Sequence, residues 1–471
     1  MKVLMINPFS GSEATAGRYR RFLAPMPPIS LAYVAAALDR AGIAVSIYDD
    51  YTCGGKLKPL LEHIKSSDPD IIGLSCVTPT AARTYEIAAD LRRAFPNIRI
   101  VMGNLHPSIF SKDIIAAGLA DAIVIGEGEE TFVDLVRAYE SGGGLENVKG
   151  IAYRDGSDIC ATEPRPFIED LDSLPFPAWR FFPIERYRLF NFARVREPGT
   201  LVLGSRGCPY GCNFCSLKIM GKKRRRRSAG NIADEFEFMH QEFGYVQMSF
   251  IDPIFPFSED EALSFSGELM RRGLQKKVTW ITETRVDLMN EKMISAMKES
   301  GLSRIMYGFE TGSSEGLDSI KKTFTMEQAR RTVAITKKAG VQIIGFFMIG
   351  VPGDSVASIG ETISYSKSLD IDFAKYTVFS PFPGTKIYED MKKSGEVPEN
   401  PKWEQFTNYP TPAKPPVFLP SGVSNEDIIR LQKKAFVSFY LRPRMILNHL
   451  FRIRTLGLKE IINGIITLFL R

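Results

Sequence analysis

Short apolar runs alternate with longer amphipathic stretches along most of this chain. Residues 2–6 predict a buried strand, and residues 29–41, apolar at helical spacing, predict a helix that Gly42 stops. A second strand is expected at 43–48, with others at 71–75, 98–103 and 122–125, separated by helical segments such as 81–95. Strand and helix in alternation give an α/β fold on a Rossmann-like, doubly wound parallel sheet. Sheets of that kind receive ligands at the carboxyl ends of their strands.

From residue 200 the same rhythm returns, with apolar runs at 201–203, 246–251, 278–283, 304–309, 342–349 and 373–380. The segment 144–198 between the two reads as a connector, with a strand at 148–153 and a stretch rich in Pro, Asp and aromatics at 167–182. Past Gly395 seven prolines up to Pro420 form an irregular strap, and Ser424 with Asp427 opens a helix through Leu441 as a capping box. The expected units are 1–145, a connector at 146–198, a second α/β domain at 199–395, and a strap with a helical tail at 396–471.

At 471 residues the chain exceeds one ordinary core and suits two or three domains. A hydrophobic content of 44% with 24% charged residues describes a soluble globular protein. The opening residues carry one lysine and a four-residue apolar run, too short for a signal peptide, so a cytoplasmic location is expected. A net charge of +6 does not by itself imply nucleic acid. Lys222 to Arg227 is an unbroken cationic run that reads either as a solvated loop or as a docking face for an anionic substrate or a reductase. It lacks the interleaved aromatics of a nucleic-acid platform, and no nucleic-acid partner is expected. The tail, 445–471, mixes Arg and Lys with Ile, Leu and Phe but lacks the roughly twenty apolar residues of a membrane span. It could lie peripherally on an anionic membrane, or pack on the protein body or a second copy.

Three of the six cysteines, Cys208, Cys212 and Cys215, fall within eight residues at C-x3-C-x2-C spacing. Gly207, Pro209 and Gly211 keep that stretch from becoming a helix, and three thiolates so placed can hold three irons of a 4Fe-4S cluster while the fourth stays open. A zinc knot is the competing reading, but zinc normally takes four protein ligands and the next candidate, His240, lies 25 residues beyond Cys215. Cys53, Cys76 and Cys160 are scattered singly and suit reduced thiols.

This motif, with Phe214 just before the third cysteine, resembles the radical S-adenosylmethionine family. The resemblance implies that the methionine end of S-adenosylmethionine chelates the open iron and that one electron splits its sulfonium to a 5′-deoxyadenosyl radical. It also implies an electron donor such as flavodoxin or ferredoxin. The six strand-helix units after residue 200 resemble the family's partial (β/α)6 barrel, whose active loops sit at the carboxyl ends of its strands.

In the front domain the strand ends carry Asn7 and Pro8, Ser75 to Thr78, Gly103, Asn104 and His106, and Gly126, Glu127, Gly128 and Glu129. Small residues there let backbone approach a large ligand. The arrangement resembles the cobalamin-binding domain of the cobalamin-dependent branch of the family, with Ser75-x-Val77 and Gly103-Asn104 in place of its Ser-x-Leu and Gly-Gly motifs. The Asp-x-His-x-x-Gly motif that ligates cobalt in related domains is absent, because Asn7-Pro8-Phe9 stands there instead. His106 could approach the cofactor or serve as a hydrogen-bonded structural residue.

In the second domain, Asp252 could contact S-adenosylmethionine or cap a local turn, and Arg285 could fork onto the cofactor carboxylate or form a structural ion pair. Gly308 and Glu310 look like the family's Gly-x-Glu, with Glu310 accepting from a ribose or amino group. Gly350 and Pro352 present an apolar edge for an adenine ring, and Pro383 belongs to a Pro-x-Pro-Gly-Thr turn similar to that of this branch.

The resemblance implies methylation of an unactivated carbon. An sp3 C–H bond is not acidic, so no general base opens it and a carbon radical must come first. The basic, apolar tail points to a lipid, isoprenoid or tetrapyrrole-like substrate. A radical oxidative cyclase or rearrangement is the alternative within this class. A non-enzymatic RNA-binding or cofactor-sensing protein is the alternative outside it. A methylthiotransferase needs three further cluster cysteines, a pattern that Cys53, Cys76 and Cys160 do not fit.

Overall fold

The computed structural model describes residues 1–9, 26–189 and 193–448. The front sheet has seven strands: β1 (Lys2–Asn7), β2 (Ala44–Asp49), β3 (Ile71–Ser75), β4 (Arg99–Gly103), β5 (Ala122–Val124), β6 (Ile151–Asp155) and β7 (Asp158–Ala161). Their order is β2-β1-β3-β4-β5-β6-β7, parallel through β5 and antiparallel beyond. The strand expected at 148–153 is thus the first arm of a hairpin that extends the front sheet to Ala161, past the boundary expected at 145.

Parallel strands covered on both faces read as unbroken apolar runs, and alternate residues then serve opposite cores. Val3 and Met5 of β1 pack with the helices Ile29–Arg40 and Gly128–Ser141, while Leu4 and Ile6 pack on the other side with the helices Leu57–Ser67 and Ala81–Ala94. The first of these cores runs on through Trp179, Phe182 and Tyr187 of the connector into Phe236 and Trp280 of the second domain.

The second sheet holds β8 (Gly199–Val202), β11 (Gln247–Phe250), β12 (Thr279–Thr284), β13 (Leu302–Glu310), β14 (Gln342–Ile349) and β15 (Phe373–Val378), all parallel and in chain order. A two-stranded ribbon, β9 (Ser205–Arg206) with β10 (Arg225–Arg226), brackets the cysteine loop. The six units expected from the sequence are present as a half-barrel, with strand ends shifted by one or two residues.

Outward residues such as Trp280, Tyr307, Phe347 and Tyr376 are fully buried, Trp280 against Phe265 of the neighbouring helix and Tyr376 against Phe436 and Phe439. Inward residues Ile281, Met306, Ile344 and Phe373 form a separate apolar floor. The amino end of the lumen is plugged by residues 193–196. Gln247 accepts from the Val195 and Arg196 amides at 2.7 and 2.8 Å and donates to the Ala193 carbonyl at 2.7 Å. Buried Arg304 donates to the Arg194 carbonyl at 3.1 Å and lies 4.4 Å from the Phe373 ring centre.

The C-terminal helix Asn425–Tyr440 begins at the Ser424 and Asp427 capping box expected from the sequence. It covers β15, where Gln432 donates to the Tyr376 carbonyl at 3.0 Å and the Tyr440 hydroxyl to the Ala374 carbonyl at 2.9 Å. Among the described residues no helix is long and apolar enough to cross a membrane. Most of the basic tail, from residue 449, lies outside the described residues.

Candidate active site

The cysteine loop follows β9 and is fastened at both ends. Gly207 has φ +81°, and a Cβ there would stand 2.4 Å from the Lys223 carbonyl oxygen, so only glycine lets the ribbon close. Asn213 donates from its amide to the Ile320 carbonyl at 3.3 Å and from its side chain to the Ser319 carbonyl at 2.8 Å, and its own carbonyl accepts from Ile387 at 3.1 Å. Cys208, Cys212 and Cys215 form no disulfide and are partly exposed.

Asp252, at the end of β11, is buried beneath this loop. It accepts from the Gly204 amide at 2.8 Å and the Ser205 hydroxyl at 2.5 Å, and burial pushes its carboxyl up to about 7. Through these two bonds it fastens the chain just ahead of the loop.

Arg285 comes close to the cysteines but not as a free fork. Its Nε and Nη2 donate to Asp287 at 2.9 and 2.8 Å, Nη2 also to Thr323 at 3.1 Å, and Nη1 lies 4.0 Å from the Cys212 sulfur. The guanidinium is 3.8 Å from the centre of the Tyr210 ring, within the cysteine loop. It is an ion-paired cation held beside the thiols.

Glu310 adopts φ +65° at the end of β13 and pairs with Lys322. Gly308 makes room for that pair, since a Cβ there would stand 2.4 Å from the Glu310 carboxylate. Phe214 packs against the buried cluster that includes Ile320, Val351, Phe379 and Tyr388, and the Gly350 amide donates to Asp354 at 2.8 Å. Pro352 is half-buried on the loop that follows β14, and Pro383 is buried on the loop that follows β15. These positions share the carboxyl end of the half-barrel with the cysteines.

A cleft with about 1100 Å³ of empty space, continuous with solvent, opens at the carboxyl ends of the front strands. Ser75, Gly103, Asn104, Gly126 and Gly128 line it as expected, and the Asn104 side chain donates to the Ser75 hydroxyl at 3.1 Å. The barrel side of the lining, Leu203, Ile219, Met220 and Ile251, was not singled out in the sequence. Ile251, just past the end of β11, stays 39% exposed.

Asn7, Pro8, Thr78 and His106 do not line this cleft. Asn7 donates to Asp49 at 2.9 Å. His106 is fully buried, with Nδ1 3.1 Å from the Thr78 hydroxyl, Nε2 2.7 Å from the Tyr85 hydroxyl, and its ring edge-on to Trp403. Burial pulls its pKa down to about 3. Both ring nitrogens are engaged by neighbouring hydroxyls, away from the cleft.

Glu127 and Glu129 reach the cleft, but their carboxylates are engaged elsewhere. Arg206 bridges both at 2.9 and 2.5 Å, Arg225 bonds Glu127 at 2.8 Å, and Glu127 also accepts from the Ile168 amide at 2.8 Å. The cationic run is therefore not a simple solvated loop. Arg225 and Arg227 are buried, Arg227 on Glu235, and Arg224 pairs with Glu261 at 2.8 Å, while Lys222, Lys223 and Arg226 face out.

The donor set fits the implied groups. Three accessible thiols on a pinned loop, with a cation beside them, suit the irons of a cubane. Among the described residues no three His, Cys, Asp or Glu side chains converge on a single metal ion; a cubane binds each thiolate at a different iron and needs no such convergence. The cleft is mainly apolar with glycines at its rim, as a bulky ring system requires, and the described lining contains no histidine.

A B12 binding domain model matches residues 20–136, and the Radical SAM superfamily model matches residues 202–365. A protein described as an uncharacterized methyltransferase of Pyrococcus horikoshii is 30% identical, over 100% of this chain and 99% of that protein. The anaerobic magnesium-protoporphyrin IX monomethyl ester cyclase of Cereibacter sphaeroides is 28% identical, over 94% of this chain and 71% of that protein. Among solved structures, the cobalamin-dependent S-adenosylmethionine radical enzyme OxsB, with aqua-cobalamin and S-adenosylmethionine bound, shares the fold at TM-score 0.74 and 16% identity, covering 99% of this chain and 72% of that one. With cysteine loop, half-barrel and front-sheet cleft in register with these matches, the chain belongs to the cobalamin-dependent radical S-adenosylmethionine enzymes.

Proposed function

We propose that this enzyme methylates an unactivated carbon of a largely apolar small molecule. The observation that carries the reading is the likeness to a methyltransferase along effectively the whole of both chains. When bound, the cluster and S-adenosylmethionine supply radical chemistry and cobalamin supplies a transferable methyl group.

The chain's own residues set the stage. Cys208, Cys212 and Cys215 would hold the cluster, with the Arg285 guanidinium beside Cys212. Ser75, Gly103, Asn104, Gly126 and Gly128 would cradle the corrinoid. Leu203 and Ile251, at the carboxyl ends of β8 and β11, also line the cleft, so the cradle adjoins the barrel and apolar side chains keep water from the junction. Phe214, Gly308, Glu310, Gly350, Pro352 and Pro383 surround the position proposed for S-adenosylmethionine. Lys222 and Arg226, exposed next to the cysteine loop, offer a landing face for an acidic electron donor such as flavodoxin or ferredoxin.

Cyclisation is the second reading, favoured by the 28% identity to the magnesium-protoporphyrin ester cyclase over 94% of this chain. Anaerobic incubation with methyl-labelled S-adenosylmethionine, a reductant and a cell extract separates the two. Label in a small-molecule product together with 5′-deoxyadenosine supports methylation. The nucleoside without label transfer supports cyclisation.

A further inference from the structure

Arg285, buried just past the end of β12, is fixed on every side. Its Nε and Nη2 fork onto Asp287 at 2.9 and 2.8 Å, Nη2 also donates to Thr323 at 3.1 Å, and the guanidinium carbon lies 3.8 Å from the Tyr210 ring centre. The nitrogen outside that fork, Nη1, is the one directed at the Cys212 sulfur, 4.0 Å away.

Pinning the cysteine loop does not call for a buried cation. Asn213 already bonds the Ser319 and Ile320 carbonyls and the Ile387 amide, and Asp252 fastens Gly204 and Ser205 ahead of the loop. Taking a guanidinium out of water is unfavourable unless it is paired, and Asp287 supplies the pair. The outcome is a fixed positive charge against one cysteine sulfur, with the compensating carboxylate on a different edge of the guanidinium. Asp287 lessens the field at the sulfur without cancelling it. Salt screens such a buried charge far less than one on the surface.

We propose that Arg285 sets the reduction potential of the cluster: its guanidinium, directed at the Cys212 sulfur and partly offset by Asp287, stabilises the reduced state. Reduction adds one electron to the cluster and oxidises a one-electron donor by the same amount, with no bond or proton changed. The cluster gains negative charge, so a cation beside a ligand sulfur favours that step, as hydrogen bonds to cluster sulfurs do. This role rests on the reading of Cys208, Cys212 and Cys215 as cluster ligands; the electrostatic bias from the Arg285–Asp287 pair is the added element.

A redox titration of the anaerobically reconstituted full-length protein, without S-adenosylmethionine and followed by the electron paramagnetic resonance of the reduced cluster, tests this without turnover. Arg285→Met moves the midpoint about 60 mV negative, the one-electron equivalent of a tenfold weaker reduction equilibrium. Arg285→Lys recovers part of that shift. Asp287→Asn keeps an acceptor for the fork but removes the negative charge, and moves the midpoint the other way, by several-fold in the same equilibrium. Lys58→Met, an exposed cation on a front-domain helix, leaves it in place. A pair that merely fastened the loop would disturb the cluster alike from either side, so shifts of opposite sign mark the electrostatic role. An iron-loaded Arg285→Met with an unchanged midpoint, or shifts of one sign in both variants, overturns it. If Arg285→Met binds no iron, the sign of the Asp287→Asn shift decides, and loss of iron from both variants assigns the pair to loop fastening instead. Failure of the cluster reading looks different: the unaltered chain itself binds no iron.

Discussion

Arg206 and Glu127 meet across the junction of the two domains, 2.9 Å apart, with both side chains buried. Arg206 lies two residues before Cys208, and Glu127 opens the helix Gly128–Ser141 at the rim of the corrinoid cleft. One guanidinium thus ties the cluster loop to the cleft wall, with Glu129 on its second nitrogen and the Tyr33 ring 5.3 Å away.

Removing one partner of a buried pair leaves an uncompensated charge and typically costs about 3–5 kcal/mol. Arg206→Met is expected to fall near the lower end, because Arg225 still neutralises Glu127. Urea unfolding measures the loss. Corrinoid retained after gel filtration, read by visible absorption, should fall with it. A double-mutant cycle with Glu129→Gln should show coupling, whereas additive effects would mean that the two side chains do not act as a unit.

Each of the three cysteines is only partly buried, so none is a fully packed core residue. Replacing Cys208, Cys212 and Cys215 together with alanine should abolish bound iron and 5′-deoxyadenosine formation. The thermal midpoint of the metal-free protein should move by only a few degrees, because substitutions outside the packed core usually stay within about 0.5 kcal/mol each. A collapse of the fold would assign the thiols to packing instead.

Gly207 and Gly211 flank the same loop and should respond differently. A Cβ at Gly207 meets the Lys223 carbonyl oxygen at 2.4 Å in a left-handed backbone, while nothing lies within 4 Å of one at Gly211. Gly207→Ala should therefore disturb the ribbon and lower iron occupancy after reconstitution, at a cost of about 1–3 kcal/mol. Gly211→Ala should reconstitute like the unaltered chain. Iron and sulfide quantification on both variants makes the comparison.

The cysteine motif, the strand and helix alternation and the Ser424 cap were legible because each is written in neighbouring residues. What the sequence hid depends on partners far along the chain. Ile251 and Leu203 line a cleft whose other wall lies more than seventy residues earlier, so no local pattern marks them. Lys222 and Arg225 look alike in a cationic run, yet the ribbon pairing of Arg225 with Arg206 turns one guanidinium into the protein and leaves the lysine outside. Arg285 was found by its place at a strand end, but its bond to Thr323 joins residues 38 apart in the chain.

His106 gives the last test, through pH. Its folded pKa is pulled down to about 3 by burial, while an unfolded histidine titrates near 6.5. Between those values the unfolded chain binds the proton more readily than the folded one, so stability is full above about 6.5 and is lost as pH falls toward 3. From pH 7 to pH 5 this residue alone should remove about 2 kcal/mol, at roughly 1.4 kcal/mol per unit. His106→Gln cannot titrate. It should be less stable at pH 7, where the bonds to Thr78 and Tyr85 are compromised, yet lose less on acidification. Urea midpoints at pH 7, 6 and 5 for both proteins read the difference in slope; parallel slopes would mean that the imidazole is not held neutral by its surroundings.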